Sequence, residues 1–217
     1  MATITEGRWA GEFLVNEANG SLSRETILVA ANQTLGAGRI LGQITLGTIT
    51  GAPGTNTGNG TIGTLTRTSR AVAGVYVARC VAAATNGGRF EVIDPNGKKM
   101  ADALVGVAYS NGEIGFTIAD GATDFVVGDT FNITVAAGSG QYVPVAPAAT
   151  DGSSIASAIL FSPTVTPAGG PGEAVVVVRD AEVNRSALDF GSLDSNQQTA
   201  AIAQLASRNI IVREAVS

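Results

Sequence analysis

Three carboxylates, Asp120, Asp124 and Asp129, crowd the stretch DGATDFVVGD, and clustered carboxylates are the raw material of a Ca²⁺ site. Their spacing does not follow an EF-hand loop, and Asp-rich hairpin turns explain the same letters, so no metal is assigned. Gly58-Asn59-Gly60-Thr61-Ile62-Gly63 spells G-x-G-x-x-G, but it follows no convincing strand and opens no helix. The geometry that cradles a phosphate is therefore missing, and no cofactor is expected. The chain has no His, which removes the commonest general base and the commonest metal ligand. Cys80 is the single Cys, so neither an internal disulfide nor a Cys-based zinc site can form. It lies in YVARCVAAA and reads as a buried, inert thiol. Ser-His and Cys-His nucleophiles are impossible here, and no Ser stands three residues before a Lys. A glycosidase-type carboxylate pair would be spatial, and nothing points to one. The chain reads as a non-enzyme with no catalytic residues.

The composition narrows the partners. Charged residues make up 14%, apolar residues 45% and aromatic residues 5% of the 217 positions, which describes a folded chain of short strands and many turns. A net charge of −5 argues against nucleic acid, because phosphate binding needs clustered Lys and Arg. Lys98 and Lys99 are the one adjacent basic pair, and they read as a solvated hairpin tip. No apolar run approaches the ~20 residues of a membrane helix, and MATITEGRWAGEF has no signal-peptide pattern. The expectation is a protein made in a reducing cytoplasm, with no membrane partner. Asn-x-Ser/Thr triplets at Asn19, Asn32, Asn59, Asn132 and Asn184 then carry no forecast of glycosylation.

The elements that would position functional groups fall into two textures. Residues 1–20 read as an extended arm with Trp9, the only Trp, as its most costly exposed ring. Thr26–Ala30 and Arg39–Thr45 read as strands around a Gly-rich turn. Residues 47–61, GTITGAPGTNTGNGT, read as a flexible joint without a core face, and 137–140 as a shorter one. The block 62–136 between them alternates strand and turn. Val75–Val81, Phe90–Ile93, Leu104–Tyr109, Ile114–Ile118, Phe125–Val127 and Phe131–Val135 are its expected strands, and Asn-Gly and Asp-Gly pairs supply tight turns. This is the signature of an antiparallel sandwich or small barrel. Beyond the second joint, Val175–Val178 reads as a strand covered on both faces. Asp194 or Ser195 can cap a helix to about Ser207, Asn209 can stop it, and Ile210–Val212 reads as a last strand.

The outer pieces carry a resemblance. Glu12–Gly20 (EFLVNEANG), Ser23–Thr26 (SRET), Tyr142–Gly152 (YVPVAPAATDG), Ala158–Phe161 (AILF), Val178–Asn184 (VRDAEVN) and Ala200–Arg213 occur in order on both sides of the middle block. Together they resemble the head decoration protein family of tailed phages, typified by the lambda protein D. The match covers about half the chain, and residues 47–140 fall outside it. The middle block is similar, more loosely, to immunoglobulin-like modules of phage structural proteins. The expected fold is mainly β: a small decoration domain, 21–46 plus 141–217, with one C-terminal helix, interrupted by an inserted antiparallel β-sandwich at 62–136.

The resemblance implies a homotrimer on the outer surface of the expanded phage head. Its partners would be the major capsid protein and itself. It would cement the shell against the pressure of packaged DNA. It also implies that the N-terminal arm binds the capsid by strand addition, which places capsid contacts at Trp9, Glu12, Phe13, Leu14 and Val15. Glu17, Arg24, Glu25, Arg179, Asp180 and Glu182 fall within the family words and read as structural or interface ion pairs. Two rivals remain open. One is a virion-surface adhesion or carbohydrate-binding module, for which Tyr109 is the best candidate platform in the insert. The other is a tail component.

Overall fold

The structure, a computed structural model, describes residues 7–214. The chain forms two compact units: one from the segments up to Ile44 and from Gly140 onward, the other from Thr45–Ser139. Before the excursion come β1 (Leu14–Glu17), a single turn α1 (Gly20–Ser23), β2 (Arg24–Val29), β3 (Thr34–Leu35) and β4 (Ile40–Gln43). Within it lie β5 (Leu46–Pro53), β6 (Thr61–Arg67), β7 (Gly74–Ala84), β8 (Gly87–Ile93), β9 (Ala103–Leu104), β10 (Ala108–Ser110), β11 (Ile114–Ala119) and β12 (Thr130–Ala137). After it follow β13 (Tyr142–Pro144), β14 (Ala156–Leu160), β15 (Thr164–Val165), β16 (Gly172–Val177), β17 (Ala181–Asn184), α2 (Ser195–Ala206) and β18 (Ile210–Arg213). The fold is mainly β, with one long helix near the C-terminus.

The discontinuous unit is built on a closed barrel in the order β13-β2-β16-β14-β4. Every residue of β14 is buried. Ile159 feeds a cluster with Phe13, Val183, Leu205 and Ile210, while Ala158 and Leu160 feed a second with Val29, Leu41 and Val176. Gly42 of β4 is required where it stands, because a Cβ there would lie 2.2 Å from the Ser153 carbonyl oxygen. A second sheet, β1-β17-β18, packs against α2 through the first cluster. The helix starts as its sequence reads. Asp194 accepts the Gln197 backbone N–H at 2.9 Å, and the Gln197 side chain accepts the Asp194 N–H at 3.0 Å. It ends at Ala206 with Ser207 as its C-cap, and Asn209, at a left-handed φ of 59°, turns the chain into β18.

The continuous unit is a sandwich of a five-stranded sheet, β5-β12-β7-β8-β9, and a three-stranded sheet, β10-β11-β6. All pairings are antiparallel. Tyr76, Phe90, Phe131 and Ile133 of one sheet meet Ile114, Phe116 and Ile118 of the other. Three sequence readings differ here. The single expected strand Leu104–Tyr109 is broken at Gly106, φ 78°, into β9 and β10, which belong to different sheets. Phe125–Val127 is a loop: Phe125 is drawn into the core edge-on to Phe90, while Val126 and Val127 stay exposed.

The third difference lies in the stretch read as a joint. β5 pairs with β12 from Leu46↔Ala137 to Pro53↔Phe131, and β6 begins at Thr61. The Thr residues of β5 face solvent while Ile49 packs on the core. Alternation with small residues was enough for a strand once β12 offered a ladder. Gly58 and Gly60 are also fixed, because a Cβ on either would run into Phe125. The boundaries of the compact units are thus Ile44/Thr45 and Ser139/Gly140, each beside a hydrogen bond: Gly140 N–H to Ile44 C=O, and Gly138 N–H to Thr45 C=O, both 2.9 Å.

Candidate interaction surface

Of the three clustered carboxylates, Asp124 and Asp129 are engaged in structure, while Asp120 Oδ1 is buried without a hydrogen-bond partner. Asp129 is buried, and its carboxylate accepts backbone N–H groups of Thr57, Gly58 and Val126 at 2.9–3.1 Å. Burial alone would raise its pKa, but the three donors outweigh burial and hold it below the usual carboxylate range. Asp124 accepts the Asn86 N–H at 2.9 Å. Among the described residues no three His, Cys, Asp or Glu converge on a point that could hold a metal. Cys80 is buried between the sheets, and burial pushes its thiol pKa up, away from a reactive thiolate. The G-x-G-x-x-G letters end in β6, not in a helix. Lys99 lies within 3.6 Å of Glu91 and 3.5 Å of Asp102 in a local ion cluster, while Lys98 is exposed beside the Pro95–Gly97 turn.

The charged residues of the family words pair within their own unit. Arg24 binds Glu17, Arg179 binds Glu25, and Arg213 binds Glu182 at 2.8 Å. Hydrogen bonding to Arg213 holds Glu182 below the usual carboxylate range. Asp180, at a left-handed φ of 50°, accepts the Asn209 amide at 3.1 Å. Every aromatic ring of the continuous unit is buried, including Tyr109, which stacks on Phe116 with centroids 4.6 Å apart. A sugar platform at Tyr109 is therefore closed to solvent.

What remains is the N-terminal segment, whose residues 1–6 lie outside the described ones. The structure splits the five expected contact residues. Trp9 is 66% exposed, and its backbone N–H donates to Glu12 Oε2 at 3.0 Å, closing a turn over Trp9–Glu12. Val15 is 59% exposed. Phe13, by contrast, is 1% exposed and sits in the core with Val183 and Leu205, and Leu14 is partly buried against the same cluster. Phe13 cannot be a contact residue of a free arm in this fold. Sequence alone does not reveal this, because EFLV alternates too briefly to tell an arm from an edge strand. From Leu14 on, the chain is β1, the edge strand of its sheet, paired antiparallel with β17. Any free arm ends before Phe13.

Sequence reasoning also missed how this segment is seated. Gly11 donates its N–H to the Phe161 carbonyl at 2.9 Å, and the Arg24 guanidinium lies 3.8 Å from the centre of the Phe161 ring. The signal was present only as separate letters, a Gly two residues after the Trp and the Phe closing AILF, and their meeting is tertiary. Elsewhere on this unit Leu22, Leu28 and Val165 are exposed apolar side chains, and Val165 borders an open groove with Thr26, Pro163 and Val175.

Comparison with known proteins bears on what this surface serves. Two crystal structures of Xanthomonas campestris FlgL, in space groups H3 and C2, align at 22% identity with a TM-score of 0.33. They cover 50% and 49% of this chain, which spans about a third of their length, 34% and 32%. A likeness at that score assigns neither fold nor role. No curated protein matches the sequence. The profile described as bacteriophage lambda head decoration protein D matches residues 3–210, across both units. With a match over nearly the whole chain, the protein belongs to the bacteriophage lambda head decoration protein D family.

Proposed function

We propose that this protein acts as a cement: a homotrimer on the outer surface of the expanded head that bridges major capsid protein subunits and holds them against the pressure of packaged DNA. Membership of a head decoration family supports capsid binding in general. The observation that carries the specific reading is the exposure of Trp9. A lone Trp left 66% exposed, four residues before a Phe locked in the core, supports the reading of Trp9 as an anchor for another surface. Burying the rest of that ring removes about 150 Å² from water, on the order of 4 kcal/mol at ~25 cal/mol/Å² before ordering costs. Three such anchors on one trimer reinforce each other through effective concentration. Contacts that exist only on the mature lattice stabilise that lattice over its precursor.

The test is co-sedimentation with expanded capsids lacking decoration. Intact protein binds, and both Trp9→Ala and a protein lacking residues 2–9 bind at least tenfold more weakly. Sedimentation equilibrium at micromolar concentration gives three chains per particle. A protein that stays monomeric in solution and on capsids refutes the trimer. Equal attachment by intact and truncated protein moves the anchor to another face.

A further inference from the structure

The segment carrying Trp9 rests on a built support. Gly11 sits at φ +71°, in the region that favours glycine, and a Cβ there would lie 2.8 Å from Cε2 and 3.0 Å from Cζ of Phe161. Its N–H is held by the Phe161 carbonyl at 2.9 Å. The Phe161 ring is packed against the core cluster that contains Phe13. Arg24 stacks its guanidinium on that ring and is itself held by Glu17 of β1. Leu14 N–H closes back on the Gly11 carbonyl at 2.9 Å. Glu17, Arg24, Phe161 and Gly11 thus form a continuous chain of contacts from the edge strand to the turn that bears Trp9.

We propose that Gly11, Phe161 and Arg24 form a clamp that fixes where and in what direction the N-terminal segment leaves the body, so that Trp9 is presented to the capsid pre-oriented. The inference rests on the capsid-anchor reading of Trp9 given above. These three are positioning residues: they act through Trp9 and need not touch the partner. The physical gain is that part of the ordering is done before binding, which strengthens attachment without any new contact. Only glycine fits the clamp. An L side chain at position 11 meets both a disfavoured φ and the Phe161 ring, so the segment is driven off its seat. The seated form then becomes a minor population, and apparent affinity falls in proportion to it.

The sole Trp is its own reporter. Time-resolved fluorescence anisotropy of purified full-length protein reads the mobility of Trp9 directly. Wild type shows decay dominated by tumbling of the whole molecule. Gly11→Ala and Arg24→Ala each show a fast local component of at least about twice the amplitude. Arg24 is only partly buried, with about a third of its side chain exposed, so its variant folds even where Gly11→Ala does not, and Arg24→Lys, which keeps the charge but loses the flat stacking group, falls between. Equal anisotropy in all variants overturns the clamp whatever the capsids do. Co-sedimentation with undecorated capsids supplies the second arm, with Gly11→Ala about tenfold weaker. Raised mobility with unchanged attachment overturns the claim that the clamp serves binding. Trp9→Ala is assayed beside them: if it attaches as well as wild type, the anchor reading fails and the proposal falls with it, while anisotropy still reports separately on the clamp.

Discussion

Phe13→Ala separates an arm residue from a core residue. As part of a free arm, Phe13 would matter only on the capsid, and its loss would leave the isolated protein as stable as before. In the structure its ring is 1% exposed and fills the cluster formed by Ile40, Ile159, Val183, Leu205 and Ile210. Removing a buried Phe ring costs about 3–5 kcal/mol in transfer and cavity terms together. Against a total of about 5–15 kcal/mol for a domain, that is a large fraction. With a urea slope near ~2 kcal/mol/M, the midpoint of the discontinuous unit falls by about 2 M. Amide exchange at graded urea, read on peptides from β17 and α2, follows that unit, while peptides from β7 and β12 follow the other. The expected result is lost protection in the first set and none in the second. Trp9→Ala in the same assay stays within about 0.5 kcal/mol of wild type, because its ring is largely solvated. A midpoint for Phe13→Ala within about 0.3 M of wild type would refute the core placement and return Phe13 to the arm.

Two further outcomes follow from the units. Replacing residues 45–139 by a short Gly-Ser link leaves a soluble, folded protein that attaches to capsids, because Ile44 and Gly140 already hydrogen-bond across the cut; expression only as aggregate counts against separable units. In the continuous unit, Tyr76 is buried, donates its hydroxyl to Glu113 at 2.8 Å and accepts the Val72 N–H at 2.8 Å, and burial pushes its pKa up to about 12. An acid whose folded pKa lies above its unfolded value near ~10 stabilises fully below that value, and loses the contribution as pH rises through about 12. The stability of the unit therefore falls between those limits, and Tyr76→Phe flattens the slope; an equally steep fall in the variant refutes the assignment.

The parts legible in the sequence were those whose cause is local. Asp194 and Gln197 stand at the spacing of a capping box, and Asn209 tolerates the left-handed turn that follows α2. The two textures separated because family words and β-turn periodicity are written in contiguous letters. What could not be read depends on partners distant in sequence. β5 is a run of Gly and Thr that becomes a strand only because β12, far along the chain, offers it a ladder. Leu104–Tyr109 looks like one strand, and only the need to close a sandwich places a turn at Gly106. Phe13 carries the same letters whether it lies on a capsid or in a core. The clamp joins positions 11, 24 and 161, which no local pattern connects.

The strand at β5 also changes the account of how the insert is tolerated. A flexible joint would have left the discontinuous unit to close a long loop by itself, a cost that grows by about 0.6 kcal/mol with each doubling of loop length. Instead the inserted unit brings its own ends together. β5 and β12, its first and last strands, are paired directly, and the Thr45 carbonyl is bonded to the Gly138 N–H. The surrounding unit meets two chain ends already side by side and needs only the Ile44–Gly140 contact to join them. Closure costs it little more than a tight turn would. The joined segments β4 and β13 can then pair antiparallel, from Gln43↔Tyr142 to Leu41↔Pro144, as the two arms of one hairpin whose turn has been replaced by a domain.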